Sequence, residues 1–339
     1  MSWFLSILIG LIPMFATAIA TGLFLKILRR KNIFDHPNER SSHKNPTPRG
    51  AGIPVILVII FTWVSLYLSG NAFDKHPIFW VVVAGSLGLG FISWIDDSKG
   101  GISPTYRLLV QLLVVSLSIA FLPKEEMIFQ GLVPIWIDRL IAGLALLWFT
   151  NLYNFMDGID GISGAKAVTI GLGIFLISII SDSVINIGLP GLCVASVAIG
   201  FLFWNWQPAK VFLGDVGSIP LGYLIGWLLL YLAIQGHWAE ALLLPAYYLA
   251  DTTITLVKRL AHRKKPWVAH RDHAYQVAVT FGNSHAKVSI MISLVGILLV
   301  GLALLATDSE ILRWLSLGLG TILVLIFVYY LQTQKVANK

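Results

Sequence analysis

The sequence predicts an all-α fold: a polytopic membrane bundle of about eleven transmembrane helices, with the N-terminus periplasmic and the C-terminus cytoplasmic. Three observations carry this expectation. Of 339 residues, 57% are hydrophobic and only 12% charged, about half the charged share of an ordinary soluble domain. Mean hydropathy is +0.80. The apolar residues also gather into runs near the roughly 20 residues that a helix needs to cross a bilayer core, and open strands could not satisfy their backbone there.

The segments fall in order at 3–28, 52–69, 78–95, 104–122, 135–153, 165–182, 188–204, 218–235, 240–257, 288–306 and 311–331. The first has no basic stretch before it, is too long for a signal-peptide core and runs directly into Arg29, Arg30 and Lys31. It is therefore expected to remain as a span, with its basic flank drawn inside. Between the fourth and fifth, "LPKEEMIFQGLVPIW" (122–136) reads as an interfacial hairpin with aromatic and proline anchors. The seventh holds the single cysteine, Cys193, a small core residue that can form no internal disulfide. The ninth carries an acid, Asp251, a few residues after Pro245.

Orientation follows from the basic residues. Connections 26–50, 96–107, 154–166, 205–217, 258–287 and 332–339 hold 20 of the 24 Lys and Arg, leaving Lys75, Lys124, Arg139 and Arg313 for the other face. This bias marks the first set as cytoplasmic. It also accounts for the net charge of +7, so no nucleic-acid partner is expected. With no internal repeat and no low-complexity stretch, the whole chain, 1–339, reads as one membrane domain. Its loops 29–50, 96–107, 154–166, 205–217 and 258–287 carry the chemistry.

The acidic residues are the informative set. Eight fall outside and read as solvated loop charges. Five others lie in three short clusters at inner helix ends: "WIDDSKGGISP" (Asp96, Asp97), "NLYNFMDGIDG" (Asp157, Asp160) and "VFLGDVGS" (Asp215). Facing them is a loop rich in His and base, "RLAHRKKPWVAHRDHAYQ" (259–276). Each has a plain structural explanation. An Asp-Asp pair can be a solvated helix end, Asp-Gly is turn chemistry, Asp215 can be an N-cap, and His270 and His273 can be interfacial. Five such carboxylates on one face of a charge-poor protein argue for a shared task. Mg2+ takes one or two carboxylates together with substrate phosphates. Glycines allow close backbone approach, and Lys99, Arg107 and the 258–271 cluster would neutralise a phosphoryl group in transfer. The implied class is Mg2+-assisted phosphoryl transfer at the cytoplasmic surface, with a lipid as one reactant. The rival class is a secondary transporter, whose acids usually lie near the midplane on broken, repeated helices; Asp251 alone fits that position.

From "DHPNERSSHKNPTPRGAGIP" (35–54) to "HRDHAYQ" (270–276) the chain resembles the polyprenyl-phosphate N-acetylhexosamine-1-phosphate transferase superfamily. The shared order is the Asn-Pro-Thr-Pro-Arg-Gly loop, Asp-Asp, Asn-x-x-Asn-x-x-Asp-Gly-x-Asp-Gly, Leu-Gly-Asp-x-Gly-Ser and a His loop. The resemblance implies transfer of a sugar-1-phosphate from a UDP-N-acetylhexosamine to undecaprenyl phosphate in the bacterial inner membrane, with release of UMP. Mg2+ is the implied cofactor, with Mn2+ as a substitute. Residue by residue, it implies that Asp96 and Asp97 bind or deprotonate the lipid phosphate or serve the metal site. Asp215, with Asn154, would ligate the metal. Asn151, Asn154, Asp157, Asp160 and Asn205 would form the nucleotide pocket, with Phe212 stacked on the uracil. Arg107, His43, Arg49 and Arg271 would be further substrate-binding positions, and His270 and His273 catalytic ones. Some relatives dimerise, so a homodimer is compatible with the resemblance.

The His loop departs from two branches of the superfamily. In place of three consecutive histidines, or His-x-His-His, it reads His270-Arg271-Asp272-His273. This looks like the variant in transferases that begin O-antigen or related polysaccharides of Gram-negative bacteria. A UDP-MurNAc-pentapeptide donor is then not expected, and UDP-GlcNAc, UDP-N-acetylfucosamine and UDP-N-acetylquinovosamine stay open. Two mechanisms also stay open: direct attack by the lipid phosphate after Asp97 takes its proton, which is favoured, and prior attack by an aspartate.

Overall fold

The computed structural model describes residues 3–37, 42–43, 45–73, 76–99, 101–265 and 270–333, without the side chains of residues 98 and 99. Lys99, expected to neutralise phosphate, thus has its side chain outside the described residues. The chain opens with α1 (Trp3–Arg30), then a small antiparallel hairpin, β1 (Phe34–Asp35) and β2 (Thr47–Pro48). The helices α2 (Gly52–Leu68), α3 (Ile78–Lys99), α4 (Pro104–Ala120), α5 (Ile135–Phe155), α6 (Ile162–Ile180), α7 (Ile185–Asn205) and α8 (Asp215–Ile234) follow. The last third holds α9 (Trp238–Leu243), α10 (Ala246–Ala261), the short α11 (Ala274–Thr280), α12 (His285–Ala306) and α13 (Glu310–Thr333).

A multi-pass helical bundle is what these elements make. Eight helices are long and apolar enough to cross a membrane, and α2 and α4 are shorter apolar helices. Helix α8 is the central pole: every residue from Val216 to Ile234 is buried. Helices such as α1, α4 and α13 keep Phe4, Leu113, Ile326 and similar side chains on the outside, where lipid replaces water as their apolar surroundings.

Three expectations are corrected. The ninth span, 240–257, is broken into α9 and α10 at Leu244–Pro245. Lys166, assigned to a cytoplasmic loop, instead lies inside α6 at 1% exposure, and its Nζ donates to Leu244 O at 2.6 Å. A proline cannot supply the donor that continues the ladder, and the lysine serves a carbonyl at the break. Asp138 and Glu240, read as solvated loop charges, are fully buried. Asp138 accepts the backbone N–H groups of Ile128 (3.3 Å) and Phe129 (2.8 Å) and so fixes the 122–136 turn, while Glu240 pairs with His237 Nδ1 at 3.0 Å.

The elements that position the site are stitched by backbone. Phe212 N donates to Pro48 O (2.8 Å), Gly50 N and Ala51 N donate to Phe212 O (3.1 and 3.0 Å), and Gly52 N donates to Leu213 O (2.8 Å). This brings the start of α2 against the start of α8 with no room for side chains: a Cβ on Gly52 would lie 2.2 Å from Gly217 Cα. Backbone cannot yield as a side-chain tip can, so Gly52→Ala should lower stability by at least about 2 kcal/mol. Thermal unfolding in detergent checks this; an unchanged midpoint would contradict the packing.

Candidate active site

Five charged side chains from four segments form a continuous ladder where α3, α4 and α8 meet the loop after β2. Arg49 Nη2 lies 2.9 Å from Asp97 Oδ1 and 2.7 Å from Asp215 Oδ1. Arg107 Nη1 lies 2.8 Å from Asp215 Oδ2 and 2.9 Å from Asp96 Oδ2. The order is therefore Asp97–Arg49–Asp215–Arg107–Asp96, with Asp215 shared at the centre. Each member is also fixed by its local chain. Asp96 Oδ1 accepts Ile102 N (3.0 Å), closing the loop after α3, and Asp97 Oδ2 accepts Val216 N (3.1 Å), tying that loop to the first turn of α8. Gly214 permits this: its φ is +75°, and a Cβ there would stand 2.9 Å from Asp97 Oδ2. Asn154 Nδ2 donates to Asp215 Oδ1 (3.2 Å) and Ser218 Oγ (2.7 Å), drawing the end of α5 to the same point. Burial opposes the Arg49 charge, but Asp215 and then Asp97 outweigh it and raise its pKa.

Above the ladder opens a polar cavity of about 400 Å³. Arg49, Asp215 and Asn154 line its base, and Asp157, Asp160 and Asn205 one wall. Phe212 and His43 form an aromatic corner, edge to face with ring centres 4.9 Å apart, and His270, Gln276 and His285 complete the rim. Burial pushes the Asp157 carboxyl up to about 7, the Ser163 hydroxyl and Arg49 opposing and Asp215 and Asp97 adding to the rise. Burial, with His273 and Arg259, lowers His270 to about 4, so this imidazole meets the cavity neutral at pH 7.

The structure thus gathers His43, Arg49, Asn154, Asp157, Asp160, Asn205, Phe212, Asp215 and His270 around one space. Asp96, Asp97 and Arg107 lie in the ladder without lining the cavity. Others are directed elsewhere. The Asn151 amide donates to Gln111 Oε1 (2.7 Å) and Leu147 O (2.9 Å), one turn deeper than Asn154. Asn205 lines the wall, yet both ends of its amide are engaged: Gly161 N donates to it at 3.0 Å and it donates to Val211 O at 3.0 Å. His273 is buried under His270, ring centres 5.0 Å apart, with Nδ1 3.5 Å from Asp251. Arg271 is half-buried and does not line the cavity. None of residues 258–265 lines it either, so that cluster does not neutralise a group bound there.

Asp251 also has its answer here. It is fully buried and accepts from Tyr247 Oη (2.9 Å), Ala274 N (2.8 Å), Tyr275 N (3.3 Å) and Thr255 Oγ1 (3.3 Å). It therefore anchors the start of α11 and the His loop before it.

The chain is also similar to known proteins. Residues 79–233 match the model of glycosyl transferase family 4. The protein named probable undecaprenyl-phosphate N-acetylglucosaminyl 1-phosphate transferase from Bacillus subtilis (strain 168) is 26% identical over 327 residues, covering 93% of this chain and 88% of its own. Together these matches support the polyprenyl-phosphate hexosamine-1-phosphate transferase family for this chain. The decaprenyl-phosphate N-acetylglucosaminephosphotransferase of Mycolicibacterium smegmatis is 26% identical over 337 residues, 87% of this chain and 81% of that one. A phospho-N-acetylmuramoyl-pentapeptide-transferase from Petrotoga mobilis is 29% identical over 241 residues, 63% of this chain and 71% of its own.

The family match takes in four members of the ladder but not Arg49, nor the rim residues His270, Gln276 and His285. Two of these escape sequence reasoning. Gln276 ends the His loop, three residues after His273. His285 precedes a long apolar helix, and its Nδ1 lies 3.2 Å from Asp160 Oδ1 and 3.3 Å from the Asp160 backbone nitrogen. The signal for His285 was a polar residue at an inner helix end, which many non-functional residues share.

The donor chemistry suits Mg2+ shared with a substrate. Asp215 presents hard oxygens at the cavity base beside the Asn154 amide. Among the described residues no three His, Cys, Asp or Glu side chains converge as a cage, so an ion held here would draw further oxygens from a substrate.

The raised Asp157 carboxyl sets a pH-dependent stability. Below about pH 3.8 both folded and unfolded chains are protonated there; between 3.8 and about 7 only the folded one is. Stability from this group is therefore fully present below about pH 3.8, falls as pH rises between 3.8 and about 7, and is gone above that. Asp157→Asn should match the parent near pH 4 and exceed it by roughly 1–4 kcal/mol at pH 8, with part of that difference already present at pH 5, read as unfolding midpoints in detergent.

Proposed function

We propose that this transferase moves an N-acetylhexosamine-1-phosphate, with N-acetylglucosamine first in order of expectation, from its UDP donor to undecaprenyl phosphate. The products would be UMP and an undecaprenyl-pyrophosphoryl sugar, made at the cytoplasmic face of a bacterial inner membrane. The carrying observation is the base of the cavity, a polar space of about 400 Å³ where Arg49 and Asp215 are held rigid by a ladder that continues behind them through Asp97, Arg107 and Asp96. Preorganised cations of this kind stabilise charge developing on phosphoryl oxygens without reorganisation during the reaction. The relatives named for undecaprenyl- and decaprenyl-phosphate substrates support the lipid acceptor.

In this reading the uracil sits at the Phe212–His43 corner, near Asp160, whose Oδ2 is fixed by Ala209 N at 3.0 Å. The pyrophosphate crosses Arg49 toward Asp215. The sugar reaches His270 and Gln276, whose Oε1 has no hydrogen-bond partner among the described residues. The lipid phosphate attacks the β-phosphorus, forming one P–O bond as the bond to the UMP oxygen breaks. Asp97 holds Arg49 and the start of α8 through both its oxygens, which supports a direct displacement in which it orders the cations. Asp215 and Asn154 would hold Mg2+, or Mn2+ in its place. Bound there, the ion supplies further neutralisation of the pyrophosphate.

The loop His270-Arg271-Asp272-His273 supports an O-antigen or similar surface-polysaccharide pathway, with this reaction as its first membrane step. The transporter reading has lost its support, because Asp251 is committed to anchoring α11.

Detergent-purified protein given undecaprenyl phosphate, Mg2+ and a panel of UDP-N-acetylhexosamines should release UMP with one preferred donor. Asp97→Asn should cut the rate at least about 100-fold. No release with any donor, from protein that unfolds at its normal midpoint, would overturn the proposal. Asp160→Asn should raise KM for the UDP-sugar about tenfold or more, with its unfolding midpoint near the parent's; an unchanged KM would remove Asp160 from the nucleotide pocket.

A further inference from the structure

A cavity of about 600 Å³ lies between α5, α8, α9 and α13, in the half of the bundle away from the transfer site. Helix α8 gives its depth. That helix starts at Asp215 in the ladder, and Gly226, Leu230 and Ala233 along its second half line the space. At about 1.5 Å per residue, the wall from Gly226 to Ala233 is roughly 10 Å deep. Its deep lining is apolar, with Phe149, Leu230 and Leu249 among it. The polar lining gathers at the outer end. Gln130 stands there, its Nε2 donating to Ile234 O at 2.8 Å where α8 finishes. The two charged lining residues, Glu310 and Arg313, both belong to the first turn of α13. Apolar walls of this kind give water too few partners to be filled by it. One end of the space thus suits a hydrocarbon chain and the other end suits charge.

The charges at the mouth identify the occupant. Glu310 and Arg313 stand three positions apart, on one face of a helix, and yet they do not pair. Among the described residues neither side chain has an ion-pair partner, and Arg313 Nε is buried without a hydrogen bond. Two opposite charges left separate at one mouth suit a ligand that carries both. Beside them Trp238 and Trp314 meet edge to face, ring centres 5.2 Å apart, and Trp314 is 60% exposed. Tryptophans at a helix end mark the headgroup level of a bilayer. We infer that this cavity binds a phospholipid from the leaflet opposite the transfer site, with a phosphodiester and a primary ammonium in its headgroup. Arg313 meets the phosphate, Glu310 meets the ammonium, and one acyl chain runs down past Leu230 toward Phe149 and Leu249. Both contacts are charge-assisted hydrogen bonds. An anionic headgroup would set its phosphate beside Glu310 with no cation of its own, and a choline headgroup offers that carboxylate no N–H. The site does not rest on the identity of the transfer reaction.

Native mass spectrometry of the full chain in neutral detergent tests this, with phosphatidylethanolamine set against phosphatidylglycerol or phosphatidylcholine. The parent should retain phosphatidylethanolamine over both. Arg313→Gln should weaken that retention about fivefold or more. Glu310→Gln should remove the preference over phosphatidylglycerol. Ala145 lines the apolar part of the cavity, so Ala145→Phe should fill the path of the chain and weaken retention roughly tenfold. Undecaprenyl phosphate should not displace the phospholipid. No preference in the parent, an unchanged preference in Glu310→Gln, or full retention by Ala145→Phe would each overturn the site. Displacement by undecaprenyl phosphate would do the same, marking the cavity as a place for that lipid's tail. The parent's own preference needs no variant, so the test stands even where a variant does not fold.

Discussion

The shared carboxylate of Asp215 is the point on which the rest of the site depends. It holds Arg49 on one oxygen and Arg107 on the other, at 2.7 and 2.8 Å. Those arginines reach outward to Asp97 and Asp96, and so to the loop after α3 and the start of α8. Isolated charges are costly where water is scarce, whereas alternating ones that satisfy one another are tolerated. The cost of breaking any rung holds all of them in register. It also leaves the Arg49 guanidinium fixed at the base of an open polar cavity, with Arg107 behind it, an arrangement suited to phosphoryl chemistry.

Buried charge serves the bundle elsewhere in a second way, as a partner for backbone that regular helices leave unpaired. Asp251 takes the N–H groups of Ala274 and Tyr275 at the start of α11. Lys166 serves the carbonyl of Leu244 where the ninth expected span breaks, and Asp138 takes two N–H groups of the 122–136 turn. In a bilayer, irregular backbone is stable only where protein or water meets its polar groups. These side chains are the protein's share of that requirement, and they make possible the break in the helix that carries the His loop toward the site.

The close approach of α2 and α8 at Gly52 and Gly217 links the two patterns. It allows the strand-like contacts of residues 48–52 with 212–213, and these place Arg49 over Asp215 and Phe212 beside His43. A rigid backbone seam thus carries the cation and the aromatic surface of the same pocket.

Hydropathy and charge are local properties, so the sequence alone determined the membrane helices, the face with the basic loops and the clusters Asp96–Asp97, Asp157–Asp160 and Asp215 on that face. The ordered motifs also led to the family and to most of the cavity lining. Tertiary structure decided the pairings, because they join residues far apart in the chain: 166 positions separate Arg49 from Asp215, and 125 separate Asp160 from His285. It turned Asn151 and His273 away from the cavity, brought in Gln276 and His285, and gave Asp251 and Lys166 structural work. It also separated the basic run after α10 from the transfer site. Side-chain direction at a helix end depends on which neighbours remain to be satisfied, and only the packed bundle supplies them.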